Sequence, residues 1–121
     1  MNIFGNEYGF MLTVGASAEI AEICPDGDLS RIGEVANAKT ADTIRFTAKF
    51  VAAMAKGFDD AERFAGREVT HKPLTAEMVM ALPATALEDI QAEAFAAFSE
   101  SMKTTVEVAP SKKKVASRSK A

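Results

Sequence analysis

The stretch Asp26-Gly27-Asp28-Leu29-Ser30 puts oxygen-bearing side chains at alternate positions, the spacing with which a calcium-binding loop begins. An EF-hand loop starting at Asp26 would need a sharp-turn glycine where Arg31 stands and a bidentate glutamate where Asn37 stands. A cation at the turn position argues against a metal loop. The stretch therefore reads as a corner between two helices in which the aspartates act as caps.

The chain has one histidine and one cysteine, too few for an internal disulfide or a structural zinc site. His71 lies in a polar segment beside Lys72 and Pro73, with no carboxylate or nucleophile close in sequence, and reads as an exposed loop residue. Cys24 follows Ile20 and Ile23 on an apolar helical face and reads as a small buried hydrophobe. The adjacent carboxylates Asp59-Asp60 and Glu88-Asp89 are placed on solvated helix faces, where neighbours in sequence point about 100° apart. Neither the dinucleotide fingerprint nor the P-loop pattern occurs. These residues predict no catalytic set, no metal and no cofactor, hence not an enzyme.

The surrounding elements must then carry the function. With 121 residues and 48% hydrophobic composition, the chain suits one folded domain. Its net charge of −3 conceals a division: residues 1–102 hold 8 Lys/Arg against 16 Asp/Glu, whereas residues 103–121 hold 6 Lys/Arg and only Glu107. The N-terminus lacks the features of a signal peptide and no run approaches a membrane span, so a cytoplasmic protein without membrane contact is expected. The basic segment from Lys103 to Ala121 is expected to be a disordered tail. It has no aromatic to stack on bases, and the acidic body would repel a duplex, which disfavours nucleic acid as a partner.

The expected fold is mainly α, a small helical domain over residues 1–102 with a short N-terminal β element. Tyr8, Phe10, Leu12 and Val14 alternate as in a strand, or in a hairpin turned near Gly5 and Asn6. Ala16, Ile20, Ile23 and Cys24 keep helical spacing until Pro25 and Gly27 end it, and Asp28 can cap a short helix carrying Leu29, Ile32 and Val35 or Ala36. The longest helix starts at Thr40 and Asp42. Ile44, Ala48, Val51, Ala55 and Phe58 form one stripe and Phe46, Phe50 and Met54 the next, with Gly57 a possible kink or end. Gly66 to Pro73 reads as a surface loop, Thr75 caps AEMVMAL, and Pro83 stops that helix or starts the next. Over about Ala84 to Ser101, Leu87, Ile90, Ala94, Phe95, Phe98 and Met102 oppose Glu88, Asp89, Glu93 and Glu100. Phe46, Phe50 and Met54, with Met78 and Met80, exceed what one small core obviously needs. They are either core or, because methionine adapts to varied surfaces, a face for a partner or a second copy; the second option makes them the candidate partner-binding residues.

Two blocks, NEYGFMLTVGASAEIAEICPDGDLSRIGE (Asn6 to Glu34) and PLTAEMVMALPATALEDIQAEAFAAFSES (Pro73 to Ser101), resemble the tail assembly chaperones of long-tailed, siphovirus-type bacteriophages and prophages. The similar features are an "LTVGA" entry before an acidic "CPDGD" corner, and a "PLT" element leading into an amphipathic helix with "AF" near its end. The resemblance implies a mostly helical, self-associating, non-enzymatic protein. It would coat the hydrophobic tape-measure protein in the cytoplasm of the bacterial host, help recruit tail-tube protein, and be missing from the mature virion. It also implies a longer product made by ribosomal frameshifting, for which an adenine run encoding Lys112-Lys113-Lys114 would serve. The alternatives are a structural virion protein at the head-tail connector and a nucleic-acid-binding protein acting through its tail.

Overall fold

The computed structural model describes residues 1–36 and 40–108. It is mainly helical, as the periodicity predicts, with a two-stranded antiparallel hairpin at the N-terminus. Strands β1 (Asn2–Ile3) and β2 (Asn6–Glu7) pair Asn2 with Glu7 and Ile3 with Asn6. The two residues between them, Phe4 and Gly5, both have positive φ, at 51° and 84°. This is the turn geometry that matches strand twist, and glycine accepts it without strain where phenylalanine does not. The alternation from Tyr8 onward does not make a further strand. Tyr8 instead donates its amide to Met1 O and Met11 to Met54 O, so the segment is bound across a helix.

That helix is α3 (Ala41–Phe64), the axis of the fold, on which α1 (Val14–Glu22), α2 (Gly33–Ala36), α4 (Ala76–Met80) and α5 (Leu87–Val108) all pack. Threonines start three of these helices: Thr13, Thr40 and Thr75 accept from the amides of Ala16, Thr43 and Met78 at 3.1, 3.2 and 3.1 Å. Gly57 neither kinks nor ends α3. A Cβ there would stand 2.5 Å from Met11 O and 2.9 Å from Thr13 Oγ1, so glycine lets the N-terminal segment cross the helix at contact distance. The helix ends at Phe64 with two reverse bonds, Gly66 N to Arg63 O at 3.0 Å and Arg67 N to Glu62 O at 2.9 Å, and Gly66 takes φ of 90°. This is the paired closure that satisfies the last carbonyls.

The core explains the surplus of aromatics. Phe50 is 0% exposed and stacks on Phe95 of α5 at 4.4 Å between ring centroids, with Phe98 at 5.7 Å and Phe46 at 6.0 Å. Met54, Val51, Ile20 and Ile90 are also fully buried. Because α3 has neighbours on several sides, both its apolar stripes are covered wholly or in part except at Ile44. At the other end of the domain α5 begins after a 3-10 turn, Ala84–Ala86, and runs to Val108, beyond the boundary expected at residue 102. The disordered tail expected over 103–121 is thus helical to Val108, and residues 109–121 lie outside the described residues.

Candidate partner-binding groove

Helix α4 has only five residues. Pro83 follows closely, with φ of −58° and ψ of 146°, and cannot supply a helical amide. The α4–α5 connection therefore bows out from the N-terminal half of α3 and leaves a groove. Ile44 and Ala48 of α3, Val79 and Met80 of α4, Leu82 and Ala84 of the connection, and Leu87 and Ile90 of α5 line a cavity of about 220 Å³. It adjoins a second cavity of about 410 Å³ sharing Ile44, Ala84 and Leu87 and bounded by Thr43, Thr47, Glu88 and Gln91. Met80 is 53% and Ile44 37% exposed.

The threonine hydroxyls of α3 and the Gln91 amide nitrogen in this wall are engaged, while Thr85 and Glu88 add further polar groups at the rim of the larger cavity. Thr47 Oγ1 donates to Thr43 O at 2.9 Å, Thr40 Oγ1 donates to Thr43 Oγ1 at 3.2 Å, and Gln91 donates to Ala36 O at 3.3 Å. Among the described residues Glu88, which lines the larger cavity only, is the one charged side chain in the lining. An apolar side chain entering here meets few groups that must give up water, which is the condition for hydrophobic binding.

Of the candidate partner-binding residues, only Met80 stands exposed on this groove, while Met78 is half-buried on α4. Phe46, Phe50 and Met54 are core residues in the folded chain, a correction to their assignment as surface. Phe50 holds α5 against α3 through Phe95 and Phe98.

The other sequence candidates are structural in their contacts. At the corner, Asp28 accepts from Ser30 N at 3.0 Å and Ser30 Oγ at 2.8 Å, which lowers its pKa. It caps the 3-10 turn Leu29–Arg31. Asp26, expected as a cap, pairs with Arg31 instead, and Arg31 also makes a two-pronged pair with Glu34 at 2.8 Å. Glu34 is lowered by that bond and Arg31 raised by it. Cys24 is buried, and burial followed by the Asp28 charge pushes its thiol up, away from thiolate reactivity.

His71 and Asp59 depart from expectation. Asp59 is 3% exposed rather than solvated, and His71 Nε2 lies 3.0 Å from both its carboxylate oxygens, across α3 and the loop. The His71 ring lies 4.4 Å from that of Tyr8, whose hydroxyl donates to Lys72 O at 2.7 Å. The histidine is a half-buried latch between loop, helix and hairpin. A further cavity, of about 510 Å³, lies between α1, α3 and the start of α4, and its charges largely satisfy one another: Lys56 bridges Glu19 and Asp60, and Arg63 binds Asp60. Lys56 is raised chiefly by its bond to Asp60.

The chain matches no protein-family model, no curated protein and no solved structure in the comparisons made. Among the described residues no helix is long and apolar enough to cross a membrane.

Proposed function

We propose that the protein is a non-enzymatic tail assembly chaperone of a long-tailed bacteriophage or prophage. It holds an apolar helical segment of the tape-measure protein in the α3/α4/α5 groove and helps recruit tail-tube subunits. The carrying observation is the groove itself: an open trough of Ile44, Met80, Leu82 and Leu87 whose neighbours Thr43 and Thr47 are internally bonded. Helix-in-groove docking uses such a surface, with the partner's apolar stripe as anchor. The acidic excess over residues 1–102 supports the reading by keeping a complex with an insoluble client dispersed. The two resembling blocks supply the identity of the client. The setting is the host cytoplasm, and the chaperone leaves before the virion is complete.

Co-expression with the tape-measure protein of the same genome tests this. The intact chain is expected to capture that client and raise its soluble yield, and Ile44→Asp with Met80→Asp to lose capture while staying folded. No capture by folded intact protein, or its retention in purified virions, would reject the chaperone role. The latter would select the structural virion alternative.

A further inference from the structure

The two cavities of the groove differ in kind. The smaller is lined by apolar side chains throughout, whereas the larger places Thr85, Glu88 and Gln91 along α5 and the turn before it, with Thr43 and Thr47 of α3 as the other wall. A spacing of three residues sets Glu88 and Gln91 side by side on the helix. Gln91 gives its amide nitrogen to Ala36 O at 3.3 Å, which leaves its carbonyl oxygen an acceptor without a partner among the described residues. Glu88 is exposed and, among the described residues, has neither ion pair nor hydrogen bond. The larger cavity is thus edged by two neighbouring acceptors, one of them charged.

No lysine or arginine lines either cavity among the described residues. Arg45, next to Ile44 in sequence, is paired with Asp42 at 3.5 Å. From Pro73 to Met102 the chain carries Glu77, Glu88, Asp89, Glu93 and Glu100 and neither lysine nor arginine. A cation approaching this side of α5 is attracted, and a carboxylate is repelled. A guanidinium suits the site better than an ammonium, because its planar fork can donate to a carboxylate and an amide oxygen together. The cavities share Ile44, Ala84 and Leu87, so the apolar and polar compartments adjoin. Two side chains one helical turn apart, about 5.4 Å along the axis, are placed to enter both. We infer that the segment docking in the groove carries an arginine one turn from its apolar anchor, and that Glu88 with Gln91 selects for it. The inference rests on the helix-in-groove docking proposed above. In that docking the anchor supplies the affinity, and the arginine sets the direction and register of the bound segment.

Two synthetic peptides of one amphipathic helical sequence, differing only in arginine or glutamate one turn from a central leucine, test this on the full chain. Fluorescence anisotropy reads the affinity, and amide NMR shifts at Ile44, Ala84 and Leu87 place the peptide in the groove. The arginine peptide is expected to bind at least about fivefold more tightly at low salt, with the gap narrowing as salt rises. Glu88→Gln should remove most of that preference and Glu88→Arg reverse it, both at an exposed position and with folding verified by circular dichroism. Equal binding of the two peptides, a preference unchanged in Glu88→Arg, shifts confined to another face, or no binding of either peptide would each overturn the inference. Client capture without an arginine preference would sink this inference and leave the chaperone role standing. Arginine-selective binding in the groove without client capture would do the reverse.

Discussion

Replacing Phe50 by alanine separates core from binding surface most sharply. Phe50 is 0% exposed and touches three other aromatic rings, two of them on α5. Deleting a buried phenyl ring costs about 3–5 kcal/mol, and each lost aromatic pairing adds about 0.5–1.5 kcal/mol beyond area burial. Partial collapse of the site offsets some of this, so about 4–5 kcal/mol is expected. A domain of this size has about 5–15 kcal/mol in total. The variant should therefore melt about 20 °C or more below the parent. Differential scanning calorimetry and urea unfolding measure the loss. Met80→Ala serves as the comparison, since Met80 is half in solvent and its truncation should stay within about 0.5 kcal/mol. A Phe50→Ala protein that melts within a few degrees of the parent would refute the packing argument and return Phe50 to the surface.

Gly57→Ala should destabilise by about 1–3 kcal/mol in chemical denaturation despite alanine's better helix propensity, because its methyl meets Met11 O at 2.5 Å; a stabilised variant would mean the crossing segment is loosely held. His71→Ala leaves the Asp59 carboxylate buried without its partner and should cost about 3 kcal/mol. Tyr8→Phe should cost about 1 kcal/mol, and the double variant less than the sum, since the two rings touch. The corner carboxyls of Asp28 and Glu34 have lowered pKa values, so on acidification the unfolded chain takes up their protons first. Their small stabilisation is complete above about pH 5 and declines as pH falls through the folded pKa values. Side-chain carboxyl NMR of Arg31→Ala should return Glu34 toward its ordinary range and leave Asp28 low, because Ser30 is the main cause at Asp28.

What was legible in the sequence was local. Thr40 and Thr75 announce helix starts through a hydroxyl that needs an amide only three residues on. The stripe on α5 survives because Phe95 and Phe98 meet the same ring, Phe50, on one side. Gly57 shows where locality fails. The cost of glycine in a helix can be read from the chain, whereas the arrival of Met11 O over it depends on where the N-terminal segment returns. Asp59 and Asp60 were read together as solvated, yet their angular separation makes one point inward while the other faces water, and the inward one finds His71 in a segment without periodicity.

The groove was hidden for a related reason. Ile44 and Ala48 lie on one apolar stripe, and Leu87 and Ile90 on another, so each pair counts as core when helices are read one at a time. Periodicity says which face a helix turns inward; it does not say whether the neighbouring element is long enough to cover that face. Here α4 stops after five residues and Pro83 forces the chain outward, so Ile44 and Met80 stay in solvent although their spacing is that of buried residues. The signal was present as a shortage of helix between Thr75 and Pro83. Phe46, Phe50 and Met54 were the opposite error: an apolar surplus judged against one neighbour vanishes when α3 meets four. A surface for partners in a small helical protein is therefore better sought where a covering element ends early than where large apolar residues are most numerous.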